Sequence, residues 1–170
     1  MPWRFGAMVG LLVATATLAA ADVDALASRN LLFPLKGVPR AAMRDNFEEG
    51  RAGHRHEALD IMAPRGTPVV AVDGGRVAKL FNSAAGGITV YQFDRDERYA
   101  YYYAHLDRYA KGLAEGRWLE RGEVLGYVGS TGNAKPDAPH LHFTIFRLGS
   151  DKRWWNGKAV NPFPYLAAQP

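Results

Sequence analysis

Residues 139–146, with the sequence Pro-His-Leu-His-Phe-Thr-Ile-Phe, restrict the fold of this chain more than any other stretch. Successive side chains of a β-strand point to opposite faces, so His140 and His142 would share one face. The other face would be apolar and would pack on a core through Leu141, Phe143 and Ile145. Adjacent imidazoles indicate either a metal site, since neutral imidazole is a preferred zinc ligand, or a pair of half-exposed surface histidines. This stretch alone leaves both interpretations open.

Short β-prone segments separated by glycine turns continue through most of the chain. The sequence Asp73-Gly74-Gly75 accepts positive φ and predicts a hairpin between two of these segments. Many short strands at this spacing predict a mainly β fold, an antiparallel sheet or sandwich. The predicted strands are residues 59–62, 68–72, 76–81, 87–93, 98–105, 123–128 and 140–147.

The stretches between these strands carry weaker signals. Pro34 lies in an apolar run and predicts an edge strand at residues 31–35, where proline is tolerated. Residues 36–53 are loop-like, and we expect them to lie over the cleft. Residues 106–114 are predicted to form a short helical or turn segment. Residues 160–166 are predicted to form an extended, packed tail.

The first 21 residues have the pattern of an export signal. Arg4 precedes an uncharged run, and Ala19-Ala20-Ala21 offers a small-x-small cleavage site before Asp22. A retained membrane anchor is the alternative, although the uncharged run is short for a membrane span. We therefore predict a signal peptide at residues 1–21, a linker at residues 22–30 and one domain at residues 31–170.

The charge and the lack of cysteine limit the chemistry that the chain can perform. The chain has 170 residues and no cysteine, which excludes disulfides, thiolate metal sites and a cysteine nucleophile. Without the leader the chain has 20 basic and 17 acidic residues, and the pI of the full sequence is about 9.4. This balance suits an anionic envelope polymer. It would equally suit nucleic acid, but no dense basic stripe with interleaved aromatic residues is present.

His56 and Asp60 form a second pair of potential metal ligands. A spacing of four residues lets both side chains reach one point, from a helix face or from a loop that runs into a strand. Pro64 and the β-prone residues beyond it favour the loop. Together with His142 they provide three N/O ligands and leave a fourth position for water, which is typical of catalytic zinc sites.

His105 ends the run Tyr99-Ala100-Tyr101-Tyr102-Tyr103-Ala104. Strand alternation predicts that Tyr99, Tyr101, Tyr103 and His105 lie on one side. An imidazole near zinc-activated water can accept its proton or donate a hydrogen bond to a developing oxyanion. Taken alone, His105 is better explained as a capped surface histidine.

Several motifs in order resemble the lysostaphin-type (LytM-like) zinc metallopeptidases, which cut peptide bonds in bacterial peptidoglycan. The resemblance covers residues 31–166, including Val160-Asn161-Pro162. The motifs are Arg55-His56 to Asp60-Ile61, Ala63-Pro64-Arg65-Gly66-Thr67-Pro68-Val69, Tyr103-Ala104-His105-Leu106, Gly126-Tyr127-Val128-Gly129-Ser130-Thr131-Gly132 and Pro139-His140-Leu141-His142-Phe143.

The resemblance implies an antiparallel sheet of the duplicated hybrid motif, with short helices and long loops. It implies one Zn²⁺ per chain held by His56, Asp60 and His142, with His105 and His140 as the catalytic pair. It also implies an endopeptidase, which the predicted export signal would place in the periplasm or cell envelope and which we expect to be a monomer. Its substrate would be peptidoglycan peptides, and an envelope protein could regulate it.

The chain departs from the family pattern at three places. Ala58 stands where the family usually has glycine, and Thr144 stands where glutamate is common. Residues 133–138 are more polar and richer in proline than the usual loop, and we expect this loop to border the cleft.

Other functions fit the sequence less well. His56-Glu57-Ala58-Leu59-Asp60 is similar to the His-Glu-x-x-His helix of other zinc proteases, but Gly53 and Pro64 leave little room for a helix. Residues 126–132 lack the ending of a phosphate loop, and Ser130 lacks a nucleophile elbow. We expect His54 to face solvent. A non-catalytic peptidoglycan-binding or amidase-activating module of the same fold is the alternative function.

Overall fold

The computed structural model of the chain describes residues 25–51 and 53–167. The predicted signal peptide at residues 1–21 lies outside the described residues. By Cα proximity the chain divides into two units, Met1–Leu31 and Leu32–Pro170. In the first unit, residues 25–27 are helical. Across the described ranges, no helix has the length and hydropathy needed to cross a membrane.

Strands account for most of the regular structure in the second unit. A 3₁₀ turn at Arg40–Ala42 precedes them, and a short helix at Phe163–Ala167 follows them. The strands are β1 (Gly50–Arg51), β2 (His54–Arg55), β3 (Leu59–Met62), β4 (Pro68–Val70), β5 (Gly75–Ser83), β6 (Gly87–Asp94), β7 (Tyr99–Tyr109), β8 (Trp118–Leu119), β9 (Val124–Val128), β10 (His140–Leu148) and β11 (Gly157–Val160).

Strands β3 to β11 form one antiparallel sheet, which confirms the predicted fold class. The main path through the sheet is β11-β10-β7-β6-β5-β8. Strand β3 also pairs with β10, β9 pairs with β7, and β4 pairs with β9. β1 and β2 form a separate two-stranded ribbon. As a result, β10, which carries His140 and His142, lies between β3, which carries Asp60, and β7, which carries His105.

The core lies on one face of β7 and β10. The side chains on this face that are fully or almost fully buried are Tyr99, Tyr101, Tyr103, Leu141, Phe143 and Ile145. The rings of Tyr103 and Phe143 lie 5.2 Å apart between centroids. Burying each large apolar side chain contributes about 1.5–3 kcal/mol. This packing fixes the facing of β10, so its alternate residues, including His140 and His142, point away from the core as predicted.

Tyr103 also carries the polar contacts of this core. Its buried hydroxyl donates to Gln92 Oε1 and accepts from the backbone N–H of Val72, both at 3.0 Å. We expect Tyr103→Phe to lower the free energy of unfolding by about 1–3 kcal/mol, because both partners lose a bond away from water. Thermal unfolding measures this loss.

Tyr109→Phe is the control for this substitution, because the Tyr109 hydroxyl is half-buried rather than fully buried. It donates to the Phe81 and Thr89 carbonyls. Equal melting temperatures for wild type and Tyr103→Phe would contradict the expectation.

The prediction of a hairpin at Asp73-Gly74-Gly75 is wrong. The strands that flank it do not pair with each other: β4 pairs with β9, and β5 pairs with β6 and β8. The turn signal is local, whereas the partner of each strand is decided by packing across the sheet. Gly75 is needed for another reason, because a Cβ there would lie 2.0 Å from the carbonyl oxygen of Phe93.

Three further predictions need adjustment. Residues 32–36 run along β4 through backbone hydrogen bonds, but only Leu35 forms a β-bridge, with Val69. Residues 106–109 continue β7, and only the remainder of the predicted segment forms turns. The predicted extended tail contains the end of β11 and a short helix whose Leu166 is buried. Here tertiary pairing overrides weak local preferences.

Candidate metal and catalytic site

Strands β3 and β10 bring Asp60 and His142 together. These two residues lie directly opposite each other in the antiparallel register, on the face away from the core. His56 enters from the loop before β3, where Glu57 has a positive φ of 55°. Thr144, which stands where glutamate is common in the family, donates from Oγ1 to the Glu57 carbonyl at 2.7 Å. The loop-to-strand arrangement predicted for His56 and Asp60 is therefore the one observed.

The three side chains present a compact triangle of donor atoms. His56 Nε2 lies 3.0 Å from Asp60 Oδ1 and 3.2 Å from His142 Nδ1. His142 Nδ1 lies 3.0 Å from Asp60 Oδ1. Donors about 2.0–2.1 Å from a tetrahedral zinc ion lie about 3.3 Å apart, so the triangle nearly matches one face of such a site.

The protonation of these groups also suits a cation. His56 Nδ1 donates to the Asn46 carbonyl at 3.0 Å, so in the neutral ring the Nε2 lone pair faces the Asp60 carboxylate. Burial lowers the pKa of His142, which favours its neutral form. Burial raises the pKa of Asp60, but hydrogen bonds and charges from His142 and His56 outweigh it and hold that pKa below its usual value. Two imidazoles and a carboxylate are a donor set that zinc accepts.

Two residues from the loop at residues 36–53 support this triangle, and sequence reasoning did not single them out. Asn46 Oδ1 accepts from the Asp60 backbone N–H at 3.2 Å, in addition to its carbonyl contact with His56. Arg51 Nη2 donates to Asp60 Oδ2 at 2.8 Å and leaves Oδ1 directed at the two histidines. No motif marks either residue, because their contacts with His56 and Asp60 form only when the loop folds against the site.

His105 reaches the same face through a break in strand alternation. The β6–β7 register shifts between Ile88 and Val90, and His105 has a positive φ of 59°. The extra residue reverses the facing of His105 relative to Tyr103. The prediction that His105 shares a side with Tyr99, Tyr101 and Tyr103 is therefore wrong. Its ring lies 4.9 Å from that of His140 and 5.5 Å from that of His142, between centroids.

The loop at residues 129–132 holds the His105 ring in place. His105 Nδ1 donates to the Thr131 carbonyl at 2.8 Å, and Thr131 Oγ1 donates to the Leu106 carbonyl at 2.7 Å. Gly132 has a φ of +74°, and a Cβ there would lie 2.3 Å from Gly87 N, so only glycine permits this close approach. Burial lowers the pKa of His105 to about 4. The ring is therefore neutral at pH 7, with Nε2 free to accept a proton.

His140 is oriented in the same manner. Its Nδ1 donates to the Ala138 carbonyl at 2.8 Å, which leaves Nε2 facing the triangle, 3.6 Å from Asp60 Oδ1. Backbone contact with Gly129 fixes the start of its strand. The structure thus brings all five predicted site residues together and separates them into a donor triangle and a neighbouring pair of imidazoles.

These residues lie in a cleft of about 640 Å³. Residues 133–138 border it as predicted, through Asn133, Ala134, Lys135 and Ala138. Arg51 brings the preceding loop to its rim. His54 is exposed and also borders the cleft, and Tyr102 is the member of the tyrosine run that lines it.

Glu57 does not occupy a position that a catalytic base would need. It is exposed, lies in a loop rather than a helix, and is absent from the cleft lining among the described residues. The similarity to the His-Glu-x-x-His helix therefore does not extend to the structure. We expect Glu57→Gln to change the hydrolysis rate by no more than about twofold, as for most surface substitutions. A peptide hydrolysis assay tests this, and a loss of 100-fold or more would restore Glu57 as the base.

Comparison with known proteins identifies the family. The model of peptidase family M23 matches residues 54–162, which contain the triangle, both further imidazoles and the intervening sheet. The chain belongs to this family. M23 enzymes are zinc metallopeptidases that act on peptidoglycan. The resemblance seen in the motifs is thereby confirmed.

Individual relatives agree with this assignment. The L-Ala–D-Glu endopeptidase of Bacillus subtilis is 34% identical over 144 residues, 80% of this chain and 43% of that protein. The DD-carboxypeptidase/endopeptidase Mpg of Neisseria meningitidis serogroup B is 36% identical over 108 residues, 63% of this chain and 22% of that protein. The chain therefore spans less than half the length of these relatives.

A solved structure shows the same fold. The catalytic domain of the antimicrobial peptidase lysostaphin from Staphylococcus simulans superposes with a TM-score of 0.59 at 25% identity. The match covers 85% of this chain and 97% of the lysostaphin domain.

Proposed function

We propose that this M23 member is a zinc-dependent endopeptidase that hydrolyses peptide cross-links or stem peptides of bacterial peptidoglycan. His56, Asp60 and His142 hold one Zn²⁺, and His105 and His140 are the catalytic pair. The observation that carries the proposal is the donor triangle, whose separations of 3.0–3.2 Å suit tetrahedral zinc. Bound zinc would lower the pKa of a water molecule to about 7 and polarise the scissile carbonyl.

The two further imidazoles perform the proton transfers in this mechanism. Each has its Nδ1–H bonded to a backbone carbonyl, of Thr131 for His105 and of Ala138 for His140. Each Nε2 can therefore accept a proton from the attacking water. Once protonated, it donates a hydrogen bond to the oxyanion or passes the proton to the leaving amine. Backbone anchoring keeps both rings in place for these steps.

The cleft and the charge of the chain favour an anionic peptide substrate. Among the described residues that line the cleft, Lys135 and Arg51 are cationic, and Arg51 is paired with Asp60, the only acid there. Stem peptides carry free carboxylates that such a lining attracts. We propose that the chain acts after export, in the periplasm or cell envelope, as a monomer. Residues 1–21 would serve as its signal peptide, and an envelope protein could regulate it.

Incubation of the purified chain with peptidoglycan tests the proposal. With zinc present, we expect mass spectrometry to detect soluble muropeptides with newly formed amino termini, and a chelator to prevent their release. A preparation that contains zinc but releases no fragments would overturn the endopeptidase function. Sedimentation with the polymer, or stimulation of an added amidase, would then support the binding or activating module.

A further inference from the structure

A continuous series of aromatic rings leads away from the donor triangle. The Tyr102 ring lies 6.0 Å from that of His142 and 4.5 Å from that of Tyr91. Tyr91 lies 4.8 Å from Trp154, and Trp154 lies 5.1 Å from Trp155, all between ring centroids. Phe81 joins the series 5.4 Å from Trp154. We call Phe81, Tyr91, Trp154 and Trp155 the aromatic patch.

The sheet explains why the patch is continuous with the cleft. Tyr91 on β6 and Tyr102 on β7 are direct cross-strand partners, so both rings lie on the face that carries His142. Phe81 comes from the neighbouring strand β5. The two tryptophans come from the connection between β10 and β11. The ring series thus begins at Tyr102, which lines the cleft, and continues along the sheet to Trp155, whose ring also lies 5.7 Å from the Arg153 guanidinium.

The patch is only partly accounted for by packing. Trp154 rests on the small cluster of Phe93, Ala100 and Leu148, so it has a structural role. In contrast, Trp155 is 61% exposed and Phe81 is 40% exposed. Large apolar side chains grouped at the surface next to a cleft are typical of binding surfaces. Trp154 therefore anchors the patch, while Trp155 and Phe81 present it to solvent.

We propose that the aromatic patch binds the glycan strand of peptidoglycan while the attached peptide lies in the cleft. The inference rests on the proposed function. Flat aromatic rings stack on the C–H faces of pyranose sugars, and the amphipathic tryptophan ring tolerates water at its edge. A peptide that is covalently linked to sugars places its sugar beside the peptide site, and the aromatic patch lies beside the cleft through Tyr102.

The dimensions fit this occupant. Four ring-to-ring steps of 4.5–6.0 Å separate His142 from Trp155. An extended peptide of about five residues covers a similar distance, at roughly 3.3–3.6 Å per residue. A second copy of the chain is a poorer occupant. A standard interface buries about 800 Å² per partner, whereas two partly exposed rings offer on the order of 200 Å².

Binding of a soluble sugar tests the patch independently of catalysis. We expect an oligomer of N-acetylglucosamine to shift the NMR signals of Trp155 and Phe81 in the purified chain. Trp155→Ala should weaken the apparent Kd by about three- to tenfold, in line with the loss of one aromatic contact. Trp118→Ala is the matched control, because Trp118 is 41% exposed and lies in β8, outside the ring series. An equal loss in both variants, or no shift at Trp155, would overturn the proposal.

A pair of substrates links the patch to turnover. The first is a stem peptide attached to its disaccharide, and the second is the same peptide without sugar. We expect Trp155→Ala to lower kcat/KM about fivefold for the first substrate and to leave the second unchanged. Equal effects on both substrates would contradict a glycan site. The same holds if the wild type binds no sugar but self-associates or binds vesicles, and Trp155→Ala loses that property. If wild type cleaves neither substrate, the proposed function fails, while the sugar titration still decides the patch.

Discussion

His142→Ala is expected to abolish zinc binding and peptide hydrolysis together. His142 Nδ1 supplies one of three donors, 3.0 Å from Asp60 Oδ1 and 3.2 Å from His56 Nε2. The remaining two donors cannot complete a three-ligand site. Loss of an outer-shell partner alone lowers metal affinity 10–100-fold, so we expect loss of a ligand to exceed about 100-fold. Zinc content per chain and hydrolysis rate, measured on the same preparation, check this result.

His54→Ala is the matched control for this substitution. His54 borders the same cleft but is exposed and stands outside the donor triangle. It should retain one zinc per chain. Circular dichroism of His142→Ala should match wild type, because its backbone pairing with Asp60 and Ala104 does not require the imidazole. A His142→Ala chain that kept full zinc occupancy would show that the metal lies elsewhere.

His140→Ala and His105→Asn are expected to keep zinc and lose turnover. Both rings adjoin the triangle and direct Nε2 toward the cleft. Neither belongs to the set of donor atoms that all lie within 4.8 Å of one another, which come from His56, Asp60 and His142. General acid–base groups contribute about 10²–10⁴-fold to rate, and each variant should lose activity in this range. Asparagine is chosen at position 105 because it tolerates the positive φ of 59° there.

The comparison of zinc content between variants separates the two roles. His140 and His142 share one strand face, and the sequence pattern alone treats them as equivalent. If His140→Ala keeps the zinc occupancy of wild type while its kcat falls, the result supports separate roles for His140 and His142. If His140→Ala loses zinc as completely as His142→Ala, the assignment of separate roles is wrong.

The parts of the site that depend on regular strands were predictable from sequence. In β10 the apolar alternation of Leu141, Phe143 and Ile145 fixes which face packs on the core, and the facing of His140 and His142 follows. The loop-to-strand position of Asp60 followed from Pro64 and the β-prone residues. Ordered motifs then predicted the family.

The parts that depend on irregular backbone and long-range contacts were not predictable. The bulge at His105 reverses its facing, and no residue type in the run Tyr101 to Leu106 announces it. Asn46 and Arg51 orient the ligands from a loop without a motif. The aromatic patch combines strands β5 and β6 with the β10–β11 connection, so the contacts of Phe81 with Trp154 exist only after folding.

The most direct test of the central claim is a zinc titration of the chelated chain, followed by hydrolysis of a stem-peptide substrate. The three donor atoms offer one site for a single ion, so under the proposed function activity should rise linearly and reach its plateau at one equivalent of zinc per chain. His142→Ala should show no rise over the same range. Full hydrolysis by the zinc-free chain, or no hydrolysis at any zinc concentration, would contradict a zinc endopeptidase at this site.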